Sequence, residues 1–347
     1  MVLQSQAPDE IVEKVADHWL ELHNNFEDQS DVWGNYTLDL TLEALLFYDA
    51  KTENDRYTNL VKQVFKKRDI SDHDTISYKT QPFCSINFTL GKLTGNNEWY
   101  DGFIAESYKM YNEVARSPEG AIMINHKGND RILIDYLQEY ASRMAKTAHL
   151  NNDSLLFSEC INQFLLYERL LRNPQTGLWS QGRGWCEDST ELGQGSWSRG
   201  HGWLLRGLVS SMEYLPEDYR SQLQPILQRL SYSLLQVQAK SGMYHILLNL
   251  PVNKSAPDVS GSGMIAHYLS VAVENGWLDE SDFRKSILRT TNEMRKYVTE
   301  KGEVLSSSKG PGPLCNYKEY IGYQPEIDEE HGFQGVIYGM MGEMNIR

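Results

Sequence analysis

The sequence lacks the features of a nucleic-acid-binding or membrane-spanning protein. Lys and Arg together number 33 against 47 Asp and Glu, so the chain of 347 residues carries a formal net charge of −14. Binding of nucleic-acid phosphates needs a basic face, and a membrane span needs about 18 or more consecutive apolar residues. No stretch of the sequence is that apolar. We therefore expect neither a nucleic acid nor a membrane as partner.

Cysteine is scarce as well, and its spacing gives no C-x-x-C pair and no metal-ligand pattern. The four cysteines are Cys84, Cys160, Cys186 and Cys315. Buried thiols or a reducing compartment are the expected explanation for such isolated cysteines. No secretory signal is visible at the start of the sequence. We expect a cytoplasmic location, or a periplasmic or secreted one if a signal has been trimmed.

Apolar residues recur with the spacing of amphipathic helices along most of the chain. Between Ile11 and Leu20 they fall at i, i+3, i+4, i+7 and i+8. Short polar turns join many of the periodic stretches, which is typical of antiparallel helical hairpins. The pattern predicts twelve helices, near 8–25, 36–51, 54–68, 80–95, 97–115, 131–148, 152–172, 200–214, 216–240, 258–275, 279–300 and 331–344.

Long stretches rich in Gly, Ser and Trp separate some of these hairpins, at roughly 115–130, 174–198, 241–257 and 303–330. Structureless loops beyond about 12–15 residues are uncommon and usually functional. Six hairpins with long loops at alternate junctions predict an all-α (α/α)6 toroid, with one barrel domain over residues 8–347. The loops and the N-terminal ends of the inner helices would form a cleft on one face. An open helical solenoid is the alternative, but it would show a sharper repeat and fewer long loops.

The strongest local motif surrounds Arg199. Two Trp, an Arg and a His lie within residues 197–203, in a segment interspersed with Gly. Glycine lets the backbone approach a ligand closely, Trp rings can stack on sugars, and Arg can bind a carboxylate with two parallel hydrogen bonds. The motif therefore predicts a ligand site, with an irregular helix start that packs Trp into the core as the alternative.

Two acidic residues are candidates for acid–base chemistry. Asp135 lies among Ile, Leu and Tyr in the stretch 130–140, where a buried carboxyl would need a partner or a raised pKa. An N-terminal Asp favoured by the helix dipole explains Asp135 equally well. Asp74, in S-D-H-D-T-I-S-Y at 71–78, suits a helix cap when taken alone. Sugar chemistry nonetheless usually requires a second carboxylate.

Other patterns are weak. G-S-G-M-I-A at 261–266 matches a dinucleotide-binding fingerprint, but no strand precedes it. The sequence has no H-E-x-x-H motif, no phosphate-binding loop, no G-x-S-x-G and no metal spacing among its nine His. We therefore predict neither a metal nor a cofactor. His331 suits either a ligand contact or a packing residue at a helix start.

Together these segments resemble the unsaturated uronyl hydrolases of glycoside hydrolase families 105 and 88, the unsaturated rhamnogalacturonyl and glucuronyl hydrolases. The resemblance runs over most of the chain. It is carried by W-S-R-G-H-G-W at 197–203, D-T-I-S at 74–77, K-L-T-G at 92–95, I-L-I-D-Y-L at 132–137, N-P-Q-T-G-L at 173–178, V-S-G-S-G-M at 259–264, G-P-G-P-L at 310–314 and E-H-G-F-Q-G at 330–335.

The resemblance implies an (α/α)6 toroid and assigns roles to residues. Asp135 matches the catalytic carboxylate and Asp74 the second carboxylate of the active site. The predicted substrate-binding residues are Trp197, Arg199, His201, Trp203, Gln181, His126 and His331.

Three positions depart from the family pattern. Gln181 stands near a position where the family often has His, and His201 replaces the usual Asn or Gln. The residues before Asp135 lack the family's Trp. These departures affect the expected sugar more than the reaction type.

The reaction implied by the resemblance starts from the C4=C5 double bond that polysaccharide lyases leave on a terminal uronic acid. A carboxylic acid protonates C4, water adds at C5, and the product opens to release the rest of the sugar. Such an acid must be protonated near neutral pH, so its pKa should rise from about 3.9 toward about 6. The expected partner is an anionic oligosaccharide. For so acidic a chain, Arg199 and His201 are the only compact cationic candidates.

Two further classes of function remain open at this stage. The first is another sugar-active toroid, such as an inverting glycosidase or an N-acylsugar epimerase. An epimerase would need paired catalytic His, which the sequence does not clearly supply. The second is a non-catalytic carbohydrate-binding toroid. The sequence leaves the identity of the uronic acid, the leaving sugar and the oligomeric state undetermined.

Overall fold

The computed structural model describes residues 6–24, 36–67, 85–126, 129–188 and 190–347. Asp74 and Cys84 lie outside these residues, and of His126 only the backbone is described.

Thirteen α-helices lie in the described residues. They are α1 (Pro8–Leu22), α2 (Tyr36–Thr52), α3 (Arg56–Lys67), α4 (Ile86–Thr94), α5 (Asn97–Glu113), α6 (Ile134–Asn151), α7 (Ser154–Leu171), α8 (Ser198–Met212), α9 (Glu217–Val237), α10 (Val259–Glu274), α11 (Glu280–Met294), α12 (Tyr317–Ile321) and α13 (Glu330–Ile346). All twelve predicted helices are present, and α12 is a short addition within the last long loop. None of the described helices is long and apolar enough to cross a membrane.

The helices form two concentric rings. The inner ring consists of α2, α4, α6, α8, α10 and α13, and the outer ring of α1, α3, α5, α7, α9 and α11. Inner helices pack on their neighbours, as α6 does on α8 and α10 on α13, and the ring closes where α13 contacts α2. Ser85, directly before α4, donates a hydrogen bond to Glu139 of α6 (3.0 Å). The predicted (α/α)6 toroid is thereby confirmed.

Burial distinguishes the two rings. In α1 the buried residues are the predicted stripe from Ile11 to Leu20, with Pro8 added. In the inner helix α6 every residue from Ile134 to Ala148 is buried. An outer helix needs one apolar face, whereas an inner helix is enclosed on all sides. The inner helices therefore also bury polar groups, which must find partners within the ring.

Five short strands lie in the long loops. β1 (Ile124–His126), β2 (Asn129–Leu133) and β3 (Gly182–Arg183) form an antiparallel sheet, and β4 (Ser307–Ser308) pairs with β5 (Pro325–Glu326). The predicted start of a helix at 131 is wrong by three residues, because residues 131–133 pair in β2 before α6 begins. Strand β2 therefore leads straight into the helix that carries Asp135.

A disulfide joins two of the long loops. Cys186, between α7 and α8, is bonded to Cys315, just before α12, with the Cα atoms 5.6 Å apart. The expectation of free thiols is wrong for this pair, because a separation of 129 residues gives no local signal of pairing. Cys160 is a buried free thiol, as expected.

Candidate active site

Four inner helices bring functional side chains to one face of the toroid. Tyr36 is the first residue of α2, while Asp135, Arg199 and His331 are each the second residue of α6, α8 and α13. Inner helices alternate with outer ones, so all of them run in the same direction and begin on the same face. The Tyr36 hydroxyl lies 3.3 Å from Nε2 of His331. Arg199 and Asp135 both act electrostatically on Tyr36.

Asp135 is the most perturbed acid of this face. Its side chain is 92% withdrawn from solvent (8% relative exposure), and Oδ2 has no hydrogen-bond partner among the described residues. Burial raises the pKa of Asp135 to about 7, against the opposing effect of the Arg199 charge. The carboxyl is therefore partly protonated at neutral pH, which suits a general acid. Asp135 is thus both a buried carboxyl and an acidic residue in the first turn of α6, so both alternatives left open by the sequence describe it.

Arg199 is fully buried and only partly satisfied. Its Nη1 donates to the Ser260 hydroxyl (2.9 Å) and to the Ser308 carbonyl (2.6 Å). The guanidinium carbon lies 4.4 Å from the centre of the Trp197 ring. Nε and Nη2 have no hydrogen-bond partner among the described residues. These two nitrogens form the edge that can bind both oxygens of a carboxylate.

Glu329 and His331 form a hydrogen-bonded pair beside Arg199. Nδ1 of His331 donates to Glu329 (2.7 Å), whose second oxygen accepts from Ser307 (2.7 Å) and lies 3.7 Å from Nη1 of Arg199. Burial raises the pKa of Glu329, but its hydrogen bond to His331 and the charge of Arg199 outweigh burial and lower the pKa to about 2. Glu329 therefore adds a permanent negative charge to the site.

Sequence reasoning missed Glu329 and Tyr36. The signal for Glu329 was its position two residues before His331 at a helix start. Tyr36 begins the second predicted helix, but a tyrosine in that position is unremarkable without knowledge of what it faces.

His201, predicted to bind substrate, is hydrogen-bonded within the protein at both ring nitrogens. Its Nε2 accepts a hydrogen bond from the backbone N–H of Trp179 (3.0 Å), so Nδ1 donates to the Trp197 carbonyl (2.8 Å). Burial lowers its pKa to about 4. Neither ring nitrogen is left for a substrate, and the neutral ring supplies no cation. We therefore assign His201 a structural role in fixing the loop before α8.

Gln181 is likewise engaged within the protein. Its Nε2 donates to the Pro311 carbonyl (2.5 Å), and its Oε1 accepts from the hydroxyl of Tyr320 (2.8 Å). Backbone bonds link the same loops, including one from Gln194 to Leu314 (3.1 Å). Together with the disulfide, these contacts hold the two loops as one wall of the site.

The two tryptophans of the motif are nearly buried. Trp197 is 4% exposed and packs on Arg199, and Trp203 is 2% exposed with its ring edge-on to His331 (6.5 Å between centroids). This exposure gives no support to the predicted stacking on a sugar. Trp197 instead packs against Arg199, and Trp203 packs against His331. The predicted contributions of Asp74 and of the His126 side chain lie outside the described residues and stay predictions.

In the part of the chain that the structure describes, no group of three or more His, Cys, Asp or Glu side chains could hold a metal ion. The candidate site on this face consists of the buried acid Asp135, the unpaired guanidinium edge of Arg199 and the Glu329–His331 pair. All of them lie at or directly before the starts of inner helices.

The chain is thus an all-α (α/α)6 toroid with its candidate site on the face where the inner helices begin. The sequence model of Glycosyl Hydrolase Family 88 matches residues 6–342, and the chain belongs to that family. The family is one of glycosyl hydrolases. The match confirms the family relationship that the sequence motifs indicated.

Individual relatives are distant. A curated unsaturated 3S-rhamnoglycuronyl hydrolase from Formosa agariphila is 27% identical over 134 residues, which cover 38% of this chain. The matched region spans 31% of that relative's length.

Solved structures agree over nearly the whole chain. A possible member of glycoside hydrolase family 105 from Klebsiella pneumoniae has a TM-score of 0.83 at 20% identity, covering 97% of this chain and 92% of that one. An unsaturated glucuronyl hydrolase from Bacillus sp. GL1, responsible for glycosaminoglycan degradation, has a TM-score of 0.70 at 14% identity, covering 97% and 96%. At such identities these structures support the fold alone.

Proposed function

We propose that the protein hydrates the C4=C5 double bond of an unsaturated uronic acid at the end of a lyase-generated oligosaccharide, and so releases the neighbouring sugar. One observation carries this proposal. A buried carboxyl with a pKa of about 7, that of Asp135, shares its helix-start face with the unpaired carboxylate-binding edge of Arg199. A proton donor and an anion receptor are what hydration of an unsaturated uronate requires.

In the proposed reaction Asp135 gives its proton to C4, and the π electrons of the double bond form the new C–H bond. The positive charge that develops at C5 is shared with the ring oxygen. Water adds its oxygen to C5 and loses a proton to a carboxylate. The resulting hemiketal opens to a ketone at C5 and leaves a hemiacetal at C1, which expels the neighbouring sugar as an alcohol. The sum is the consumption of one water molecule, and no electron acceptor is needed.

Arg199 is the proposed receptor for the uronate carboxylate. A bidentate pair with Nε and Nη2 would fix both the position and the plane of the carboxylate. The guanidinium is buried, so its attraction is screened far less than that of a surface cation. A local receptor of this kind can bind an anion although the whole chain carries −14.

The decisive experiment follows the ultraviolet absorbance of the conjugated double bond during incubation with lyase-generated disaccharides. We expect the absorbance to fall for at least one unsaturated galacturonyl or glucuronyl disaccharide. The matched saturated disaccharides should not be cleaved, because they lack the double bond that is protonated. Cleavage of a saturated disaccharide without loss of absorbance from the unsaturated one would instead indicate an ordinary glycosidase, and the anomer of the released sugar would then show whether it inverts.

The disulfide bears on the compartment in which the protein works. Disulfides form and persist in oxidising environments, so the Cys186–Cys315 bond supports the periplasmic or secreted alternative over the cytoplasmic one. Thiol labelling of the protein in intact cells, before and after reduction, tests this. Labelling of both cysteines without prior reduction would contradict it.

A further inference from the structure

We propose that Asp258 positions Arg199 for the substrate carboxylate. This inference deepens the proposed function and rests on its assignment of Arg199 as the carboxylate receptor. Asp258 lies directly before α10, is fully buried, and is joined to Arg199 through two serine hydroxyls.

Each oxygen of Asp258 accepts several hydrogen bonds. Oδ1 accepts from the Ser260 hydroxyl (2.7 Å), the Ser260 backbone N–H (3.2 Å) and the Ser308 N–H (3.2 Å). Oδ2 accepts from the hydroxyls of Ser198 (2.7 Å) and Ser308 (3.2 Å). The carboxylate thus ties α8, α10 and strand β4 together at the face that carries the site.

The direction of these bonds determines what the serines can offer Arg199. A hydroxyl has one proton to donate, and a carboxylate can only accept. With their protons on Asp258, Ser260 and Ser308 turn oxygen lone pairs toward Nη1 of Arg199, at 2.9 and 3.4 Å. A neutral amide in place of Asp258 would itself donate a proton, so at least one serine hydroxyl would lose its acceptor.

Held at Nη1 by these oxygens and by the Ser308 carbonyl, Arg199 keeps its Nε–Nη2 edge for a ligand. The backbone of Gly310 lies close to this edge, since a Cβ added to Gly310 would be 3.1 Å from Nη2. A side chain there would crowd the edge. Nη1 is thus occupied by partners within the protein, whereas Nε and Nη2 are buried without a hydrogen-bond partner among the described residues.

Asp258 is also the N-cap of α10, and a loss of stability alone would not support the proposal. The chain offers a matched control. Asp279 caps the outer helix α11 with the same Asp-x-Ser pattern, accepting from the Ser281 N–H (2.8 Å) and hydroxyl (2.7 Å). Both residues therefore make a cap, but only Asp258 is connected to Arg199.

The first experiment compares wild type, Asp258→Asn and Asp279→Asn on the best unsaturated disaccharide. Asp258→Asn should raise KM by about 10- to 100-fold, as expected for a disturbed hydrogen bond to a charged group, with a smaller change in kcat. Asp279→Asn should leave both constants near wild type although its Tm falls. A wild-type KM in Asp258→Asn would overturn the proposal.

A double-mutant cycle with Arg199→Lys separates positioning from general disturbance. If Asp258 acts through Arg199, Asp258→Asn should change KM much less in the Arg199→Lys background than in wild type. Additive effects of the two changes would contradict the proposed route.

A crystal structure of Asp258→Asn answers the same question without a substrate. We expect Nη1 of Arg199 to leave its positions against Ser260 and Ser308. An unmoved guanidinium would refute the inference. If wild type turned over no unsaturated disaccharide, the proposed function would fail, and this structure would still decide whether Asp258 positions Arg199.

Discussion

Two buried arginines of this toroid differ in the hydrogen-bond partners of their guanidinium groups. Arg295 binds both oxygens of Glu343 through Nη1 (2.7 Å) and Nη2 (3.0 Å), so a carboxylate of the protein occupies its fork. Arg199 is equally buried, but its Nε–Nη2 edge has no partner among the described residues. Glu343, the partner of Arg295, lies about 18 Å further along α13 than His331, which belongs to the pair beside Arg199. The two arginines therefore lie at different depths of the barrel.

The difference shows where the fold serves stability and where it serves a ligand. A buried donor without a partner costs roughly 1–3 kcal/mol. At Arg295 only Nε lacks a partner among the described residues, whereas at Arg199 both Nε and Nη2 do. Asp135 repeats the contrast among the acids: its Oδ2 is unpartnered, whereas Glu343 is held by Arg295. Asp135 and Arg199 both lie at the starts of inner helices.

The largest expected effect comes from Asp135→Asn, which removes the proton donor and keeps the shape of the side chain. We expect kcat to fall about 10²–10⁴-fold or more, with substrate binding largely retained. Steady-state kinetics on the unsaturated disaccharide, together with calorimetric titration, measure the two quantities. Turnover near that of wild type would remove Asp135 from the mechanism.

The next effect is on stability and tests the comparison of the arginines directly. Arg295→Met should lower the free energy of unfolding by about 3 kcal/mol, because it leaves Glu343 buried without its main partner. The exposed Arg347 also pairs with Glu343 and keeps the loss at the low end of the range. Arg199→Met should destabilise clearly less and abolish binding instead. Urea unfolding of both variants measures the free energy of unfolding. Equal losses in the two variants would contradict the distinction between a stabilising and a ligand-binding arginine.

A smaller effect is expected from Arg199→Lys, which keeps the charge and loses the planar fork. KM should rise about tenfold, more than kcat falls. The companion variant Arg199→Ala tells whether the receptor is correctly identified. If it binds the unsaturated sugar as tightly as wild type does, the carboxylate is recognised elsewhere.

The smallest effect concerns pH. Because the acid must be protonated, activity should fall as pH rises through the raised pKa of Asp135, about 7. If Asp74 lies close to Asp135, its negative charge raises that pKa further, and Asp74→Asn should move the alkaline limb to lower pH. Such a limb belongs to the pair of carboxyls and not to one residue. A limb that stays in place or moves upward in the pH–rate profile would show that Asp74 is not coupled to the acid.

Much of the architecture was predictable because helical periodicity is a local property. The predicted stripe of α1 is the face that packs into the core, and the long Gly-rich stretches are the loops around the site. The prediction failed where local and long-range pairing compete: residues 131–133 continue the helical pattern of α6 but pair with β1 and β3 instead.

Within the site, the sequence by itself singled out Asp135 and Arg199. A carboxyl among apolar residues, or an Arg between Trp and Gly, is conspicuous over a few positions. Their chemical state was decided only in the tertiary structure. Burial by neighbouring helices raises the pKa of Asp135, and contacts with residues 61 and 109 positions away leave one edge of Arg199 unpaired.

The role of His201, the Glu329–His331 pair beside Arg199 and the Cys186–Cys315 bond were likewise decided by the tertiary structure. Each depends on which loops meet at the face where the inner helices begin. The periodicity of the sequence does not predict which loops are in contact, because hydrogen bonds and disulfides between distant loops depend on distances in space and not on spacing in sequence.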